Sequence, residues 1–211
     1  MEPLIVNDLG SDAADRQRRV FGALEAAGLR PAADFAFRYP HELSGGQRQR
    51  VVIAGALVMG PELIVADEPV SMLDVSVRAG ILAILDELRD RGLAVLMITH
   101  DLSTAARFAD RICVMYLGRI VEEGPAREVI ESPRHPYTKA LLSVVPRRDP
   151  RRRVSAQILR GETPNPIDVP SGCRFHPRCP IAIEACKESE PELEAAAGKS
   201  DHRAACFLAD K

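Results

Sequence analysis

The chain has 211 residues, of which 46% are hydrophobic and 27% are charged, a composition that excludes disorder over its whole length and allows one full core with a smaller appendage. The formal net charge of -2 gives no basic field for nucleic acid, which we do not expect as a partner. Met1-Glu2 is not followed by the basic stretch and apolar run of a secretory signal. The longest apolar stretch, 51–59, is far shorter than the roughly 20 residues of a membrane-spanning helix. We therefore expect a cytosolic chain that reaches a membrane only through a partner.

Two helices are predicted in the first part of the chain. The first is indicated by apolar residues at helical spacing that stop at Gly28. These residues are Val20, Leu24 and Ala27. The second is predicted over 47–59, because Ser44 stands where an N-cap belongs and Gly60-Pro61 provides a stop signal.

Two parallel strands are predicted next, with a helix between them. Leu63–Ala66 and Ala94–Ile98 are short, continuous apolar runs, which are typical of parallel strands buried on both faces. An apolar stripe that ends before Gly92 predicts the helix. The stripe consists of Val77, Ile81, Ile84, Leu85 and Leu88. The alternation of strand and helix indicates an α/β fold with a parallel-sheet core.

A hairpin is predicted to close this α/β part. Residues 112–116 and 119–123 flank Leu117-Gly118, which has the residues of a tight turn. We place the domain boundary after the hairpin, so that residues 1–131 form the α/β domain and residues 132–211 form a C-terminal extension.

The extension has three predicted features. A short helix is expected near 137–144, and the Arg- and Pro-rich segment 146–153 is interpreted as a solvated connector, with contact to anionic lipid as the alternative. Four cysteines then crowd toward the C-terminus: Cys173, Cys179, Cys186 and Cys206. In a cytosolic chain this clustering favours a metal over disulfides.

The segment Ser44-Gly45-Gly46-Gln47 precedes the second predicted helix directly. Two glycines let backbone amides approach a ligand, and the helix dipole places partial positive charge there, so the segment is suited to an anion. A simple helix cap is the alternative interpretation.

Acidic and imidazole side chains follow the two predicted strands. Asp67 and Glu68 end the first strand and His100 follows the second, so all three are expected at one edge of the sheet, where α/β proteins bind ligands. An Asp there can hold Mg²⁺ and a Glu can polarise a water molecule. The alternatives are solvated acids and a histidine that makes only structural hydrogen bonds.

The joint order of these motifs resembles the second half of an ABC ATPase. Leu43-Ser-Gly-Gly-Gln-Arg-Gln-Arg50 comes first, a strand ending in Asp67-Glu68-Pro69 follows, and Ser71-Met72-Leu73-Asp74 and His100 complete the series. The resemblance implies part of a P-loop NTPase domain, with the parallel-sheet core and part of the helical subdomain.

The resemblance also implies a role for each matching residue, with ATP and Mg²⁺ as cofactors. The signature loop, which contacts the γ-phosphate of ATP held by the opposing subunit, would consist of Ser44, Gly45, Gly46 and Gln47. Asp67 would hold magnesium and Glu68 would be the general base. Asp74 would be the acid that signals across the dimer, and His100 the switch histidine that stabilises the γ-phosphate.

Other motifs resemble those of oligopeptide, dipeptide and nickel importer ATPases. They are Tyr39-Pro40-His41-Glu42, residues 114–118, Pro133-Arg134-His135-Pro136-Tyr137-Thr138 and residues 170–180. This resemblance implies an ATPase that energises peptide or nickel import. Its partners would be a second, identical or different ATPase subunit, transmembrane permease subunits and, indirectly, a substrate-binding protein. The chain would lie on the inner face of the cell membrane.

A phosphate-binding loop is absent from the sequence. Gly-x-x-x-x-Gly-Lys-Ser/Thr wraps phosphates with amides and an ammonium group, and Gly198-Lys199-Ser200 does not qualify because Leu193 occupies the first glycine position. We therefore expect a C-terminal part of the family's length that neither binds nor hydrolyses ATP appreciably alone. The alternative from another class is a non-catalytic fragment that binds only partner subunits or a metal.

For the four cysteines, the resemblance implies a [4Fe-4S] cluster, because some members of the family carry one on such a set. Zinc is a second interpretation, although zinc sites show short Cys-x-x-Cys pairs more often, and reduced structural thiols are a third. His176 and His202 are expected to be polar surface residues, with metal ligation as the alternative.

Overall fold

The computed structural model describes residues 1–71, 73–145, 159, 161–162, 164–196 and 199–209. Met72 and the predicted connector at 146–153 lie outside the described residues. The chain divides into two units, residues 1–100 and 101–211. The domain boundary expected after residue 131 remains a prediction.

The first unit contains four α-helices among its described residues. They are α1 (Glu2–Val6), α2 (Ala13–Ala26), α3 (Gly45–Leu57) and α4 (Val75–Asp90). The Asp12 side chain caps α2 by accepting a hydrogen bond from the Asp15 amide. Gly28 follows α2 with φ of +75°, a conformation that favours glycine and ends the helix where the sequence predicts.

Two strands form the sheet of the first unit. β1 (Leu63–Asp67) and β2 (Ala94–Ile98) pair in parallel, with Leu63 opposite Ala94 and Asp67 opposite Ile98. The predicted parallel core pair is therefore present, and its carboxyl ends meet at one edge.

One face of this two-stranded sheet is apolar and exposed. The exposed side chains are Leu63 (53%), Val65 (58%), Leu96 (53%) and Ile98 (49%). The prediction that both faces are buried is wrong, because α4 contacts β2 on one side and the described residues put no second layer over the outward-facing positions. We call these four side chains the open face.

The second unit is built on an antiparallel sheet. Its strands are β3 (Arg111–Tyr116), β4 (Arg119–Pro125), β5 (Glu194–Ala196) and β6 (Lys199–Ala204), in the order β3-β4-β6-β5. The predicted hairpin turn is confirmed, since Leu117 and Gly118 both have positive φ, +45° and +77°, as a two-residue turn of type I′ requires.

The α-helices among the second unit's described residues are α5 (Leu102–Phe108), α6 (Ala126–Glu131), α7 (Pro136–Ser143) and α8 (Ala185–Glu188). Its core joins the hairpin to the later segments, because Tyr116, Tyr137 and Phe175 pack with ring centroids 4.8 to 5.4 Å apart. β6 pairs with β4 through Glu122 and Ala204. The cysteine segment is thus held on the hairpin by strand pairing as well as by aromatic contacts.

None of the helices in the described part of the chain combines the length and the apolar character needed to cross a bilayer.

The open face predicts an unusual tolerance of polar substitution. Replacing Val65 and Leu96 together with Thr should change the free energy of unfolding by less than about 1 kcal/mol, because both side chains already face water. Binding of a hydrophobic dye should fall. Leu85→Ala is the matched control: this buried side chain of α4 should cost about 2–5 kcal/mol. Equal losses in urea unfolding would contradict the exposure of this face.

Candidate active site and cysteine cavity

The N-terminus of α3 is closed by a reciprocal pair of hydrogen bonds. The Ser44 hydroxyl accepts from the Gln47 amide (3.3 Å), and the Gln47 side-chain oxygen accepts from the Ser44 amide (2.9 Å). This capping box satisfies two amides that a helix start leaves unpaired. The Ser44 hydroxyl acts only as an acceptor in these bonds, so its hydrogen remains available for a ligand.

The surrounding structure requires glycine at one position of this segment and not at the other. A Cβ added to Gly46 would lie 2.5 Å from Val77 Cγ1, so close packing of α3 on α4 demands glycine there. A Cβ added to Gly45 would meet nothing within 4 Å, and Gly45 is not among the glycines with positive φ. Nothing in the fold therefore requires Gly45, although glycine weakens a helix.

The carboxyl edge of β1 and β2 brings Glu68 and His100 into direct contact. His100 Nδ1 lies 2.7 Å from Glu68 Oε1, and the His100 amide donates to the same oxygen at 3.2 Å. Asp67 is exposed at the end of β1 beside them. The three residues thus lie at one edge of the sheet, as their order in the sequence predicts.

Glu68 adopts a left-handed backbone with φ of +46°. This conformation is uncommon for a residue other than Gly, Asn or Asp and is enriched at functional sites. The Glu68 amide still donates to Ile98 O at 2.9 Å, so the strand pairing continues while the side chain turns toward His100. The sequence carries no signal for this turn, and the direct contact could not be predicted from it.

The Glu68 and His100 side chains remain accessible, with exposed fractions of 34% and 83%. A carboxylate that accepts from an imidazole and still faces solvent can accept a proton from a water molecule. The geometry therefore supports general-base chemistry at this edge, with the imidazole as a neighbouring hydrogen-bond donor.

Asp74 caps α4. Its carboxylate accepts from the Ser76 and Val77 amides and from the Ser76 hydroxyl at 2.6 Å. The Ser76 hydroxyl, followed by the Val77 amide, lowers the pKa of Asp74 below its usual value. The Asp74 side chain thus has a structural role, whatever else it does.

The candidate residues form two groups in the first unit. Gly46 contacts Val77, which places the α3 cap against the first turn of α4 after Asp74. Within the part of the chain that the structure describes, no hydrogen bond or ion pair joins Ser44 or Gln47 to the Glu68–His100 pair. The α3 cap and the sheet edge are therefore not joined by these hydrogen bonds.

The four clustered cysteines line one cavity in the second unit. Cys173, Cys179, Cys186 and Cys206 share its wall with Phe175, His135 and other residues. None of them forms a disulfide, and the Cys173 amide donates to Cys186 O at 2.8 Å. Burial raises the pKa of the Cys173, Cys179 and Cys206 thiols, and neighbouring cysteines add to that increase. A metal bound here would displace protons from these thiols.

The arrangement does not suit a single ion. Among the described residues, no three His, Cys, Asp or Glu side chains are grouped closely enough to hold one metal ion. A tetrahedral zinc site needs all four sulfurs about 2.3 Å from one centre. The thiols therefore share a cavity without forming a preorganised zinc site.

His135 joins the cavity to the N-terminus of α7. Its Nδ1 accepts from the Tyr137 amide at 3.1 Å, which caps the helix. Only 1% of the residue is exposed. Burial, with a smaller effect of the Lys139 ammonium, lowers the pKa of His135 to about 4, so the ring is neutral at pH 7.

Glu122 is the buried anchor of the second unit. Its carboxylate accepts from the Arg134 amide (2.7 Å), the His135 amide (2.9 Å) and His202 Nε2 (2.8 Å). Glu122 and His202 are 0% and 1% exposed, and His202 Nδ1 also lies 3.6 Å from Glu128. The expectation that His202 is a polar surface residue is wrong, because both of its ring nitrogens face buried or half-buried carboxylates.

Two family profiles match the chain. Residues 4–71 match the ABC transporter family, and residues 121–186 match the family described as oligopeptide/dipeptide transporter, C-terminal region.

Individual proteins match over most of the chain. The dipeptide transport ATP-binding protein DppF of Haemophilus influenzae is 50% identical over 194 residues, which cover 92% of this chain and 58% of that protein. The oligopeptide transport ATP-binding protein AppF of Bacillus subtilis is 48% identical over 197 residues, covering 92% and 59%. A dimeric structure of MJ0796, a bacterial ABC transporter cassette, matches with a TM-score of 0.51 and 37% identity over 59% of this chain and 53% of that one. The chain spans a little over half the length of the curated relatives.

The two glycines of the α3 cap should respond oppositely to alanine. Gly45→Ala should raise the free energy of unfolding by up to about 1 kcal/mol, because alanine suits a helix and meets no atom. Gly46→Ala should lower it by about 1–3 kcal/mol, because the new methyl group overlaps Val77. Urea unfolding measures both, and a loss of stability in Gly45→Ala would contradict the open space at that position.

Glu122→Gln should destabilise the second unit by about 2–4 kcal/mol, since an amide cannot accept from all three buried donors. Glu190→Gln is the matched control, because Glu190 pairs with Arg119 at the surface and should contribute less than about 1 kcal/mol. Urea unfolding compares them. Similar losses in the two variants would show that Glu122 is not an anchor.

Proposed function

Because this chain belongs to the family of ABC transporter ATP-binding proteins, in the oligopeptide and dipeptide branch, we propose that it takes part in ATP hydrolysis that powers import of peptides or nickel through a membrane permease. The observation that carries the proposal is the Glu68–His100 pair at the carboxyl edge of the parallel strands. A place on the inner face of the membrane, beneath the permease, follows from this proposal.

Each residue of the sheet edge has a chemical role in this proposal. Asp67 binds Mg²⁺, usually through water, and Glu68 accepts the proton of the water that attacks the γ-phosphate. His100 holds the Glu68 carboxylate in place through its Nδ1–H and its backbone amide. When ATP is bound, the doubly protonated ring would also donate its Nε2–H toward the γ-phosphate. Rate enhancement then comes from positioning and from charge stabilisation.

The α3 cap serves a second nucleotide. Ser44 can donate its hydroxyl hydrogen to a phosphate while it caps the helix, and the open space at Gly45 lets phosphate oxygens approach the backbone amides. In the dimer that we propose, each subunit's cap, with Asp74 and α4 behind it, faces the nucleotide of the other. The relative MJ0796 is described as dimeric. The partner is a second ATPase subunit of the same or a different kind.

We propose further that a phosphate-binding loop must come from outside these 211 residues. The sequence has no Gly-x-x-x-x-Gly-Lys-Ser/Thr motif, so ATP lacks its main phosphate contacts here. The open face supports this proposal, because four large apolar side chains on one sheet face are what a strand–loop–helix segment would cover. Alone, the chain is then inactive. If no such segment joins it, the chain is a non-catalytic module that binds partner subunits or a metal.

For the cysteine cavity we propose a [4Fe-4S] cluster held by Cys173, Cys179, Cys186 and Cys206. The donor set fits, since four unbonded thiols line one cavity and such clusters take four Cys thiolates. The cluster would be structural, because it would tie together the separate segments that carry the four cysteines.

Mg-ATP binding tests whether the chain needs a phosphate-binding loop from outside, and ATP turnover tests whether Glu68 is the general base. Isothermal titration of the chain alone should show no binding, and addition of a phosphate-loop segment from the Haemophilus influenzae relative should create it. In that assembly Glu68→Gln should keep ATP binding but lower turnover by about 10²–10⁴-fold, the usual contribution of a general base. Glu62→Gln, an exposed acid just before β1, is the matched control and should leave turnover unchanged.

Two outcomes would contradict the proposal. Tight Mg-ATP binding by the chain alone would show that no outside loop is needed. Normal turnover in Glu68→Gln would remove Glu68 as the base.

A further inference from the structure

Arg50 connects the helix that carries the α3 cap to the end of a second helix. Its Nη1 donates a hydrogen bond to the Gly28 carbonyl oxygen at 3.2 Å, and Gly28 follows the last residues of α2. Arg50 also lies four residues after Gly46 in α3, so the two residues share one face of that helix. The side chain is therefore placed to control how α3 sits on its neighbours.

The carboxyl end of α2 presents one carbonyl oxygen to this side chain. The Gly28 and Leu29 amides donate to Glu25 O at 3.0 Å and to Leu24 O at 2.9 Å, which are the two bonds of a Schellman motif. These bonds use amides, so the Gly28 carbonyl oxygen remains the acceptor for Arg50. A guanidinium beside the carboxyl end of a helix is also favoured by the helix dipole.

Two glycines make room for the Arg50 guanidinium. A Cβ added to Gly28 would overlap Nη1, and a Cβ added to Gly80 would lie 2.9 Å from Nη2. Gly80 is in the interior of α4, where glycine weakens a helix. The guanidinium gives this glycine a packing reason, because a larger residue would push the charged group aside. We call the space between Gly28 and Gly80 the guanidinium slot.

The guanidinium slot lies one helical turn from the contact that holds the α3 cap. Gly80 comes three residues after Val77 in α4, and Val77 Cγ1 would lie 2.5 Å from a Cβ at Gly46. α3 and α4 therefore meet at two successive positions, with the small residue on α3 at the first and on α4 at the second. Such alternation fixes how far one helix can slide or roll on the other.

We infer that Arg50 is a positioning residue for the α3 cap. By binding the end of α2 and filling the guanidinium slot, its side chain holds α3 in the register that presents the Ser44 hydroxyl and the Gly45 amide to the nucleotide of the partner subunit. Arg50 acts through α3 and not on the phosphate itself. The use of the cap rests on the proposed function, whereas the register belongs to the first unit alone.

Gly80→Ala separates positioning from stability. Alanine suits the interior of α4, and its methyl group meets only the end of a flexible side chain, so the midpoint urea concentration should stay the same or rise. The displaced guanidinium should nevertheless leave the Gly28 carbonyl and let α3 shift. Gly22→Ala is the matched control, because Gly22 lies inside α2 and a Cβ there meets nothing within 4 Å.

The first readout is NMR of the full chain without nucleotide. The wild type should show a strong NOE between the Gly46 Hα protons and a Val77 methyl group, and Gly80→Ala and Arg50→Met should both weaken it. Gly22→Ala should keep the NOE. Arg50→Lys should restore part of it, since an ammonium group can still bind the Gly28 carbonyl but cannot fill the guanidinium slot. An unchanged NOE in either of the first two variants would overturn the inference, and Gly80→Ala decides alone if Arg50→Met does not fold.

The second readout is ATP turnover in the assembly that contains the phosphate-loop segment. Gly80→Ala should lower kcat by about 10- to 100-fold, the effect of a small misplacement of an aligned group, while Mg-ATP affinity measured by titration stays unchanged. In an Arg50→Met background, Gly80→Ala should cause no further loss. Wild-type kcat in Gly80→Ala would overturn the inference. An inactive wild-type assembly, with the NOE changes as expected, would refute the proposed function and leave the control of α3 by Arg50 standing.

Discussion

The parallel pairing of β1 and β2 is the constraint on which the candidate active site depends. Because paired parallel strands end at the same edge, Asp67 opposite Ile98 places Glu68 and His100 next to each other across the strands. The Glu68 amide extends the pairing by one bond, and its left-handed backbone turns the carboxylate to the imidazole. A change in register by one residue would separate the Glu68 carboxylate from the His100 imidazole.

Local chemistry made much of the fold predictable from the sequence. Ser44 as the cap of α3, Gly28 as the end of α2, and Leu117-Gly118 as a hairpin turn follow from single residues whose backbone preferences are strong. The open face was not predictable. A continuous apolar run such as Leu63–Ala66 indicates that a strand can be buried on both faces, but it does not indicate which faces the described residues cover.

The side-chain networks were less predictable than the motifs. Glu68 could be placed at the sheet edge, but its contact with His100 depends on a backbone conformation that no motif encodes. The buried Glu122–His202 pair joins residues 80 positions apart, and an isolated Glu or His in a sequence is most often exposed. In the second unit, this pair fixes the distance between β4 and β6, which are remote along the chain. In the first unit, strand register fixes the distance between Glu68 and His100 in the same way.

In the function that we propose, the Glu68–His100 pair faces the terminal phosphate of bound ATP. Replacing Mg²⁺ by paramagnetic Mn²⁺ in the ATP complex, with the phosphate-loop segment present, tests this placement most directly by NMR. Mn²⁺ with ATP should broaden the ring-proton signals of His100 beyond detection, whereas Mn²⁺ without ATP should leave them sharp. Sharp His100 signals in a sample that has bound Mn²⁺ and ATP would contradict it.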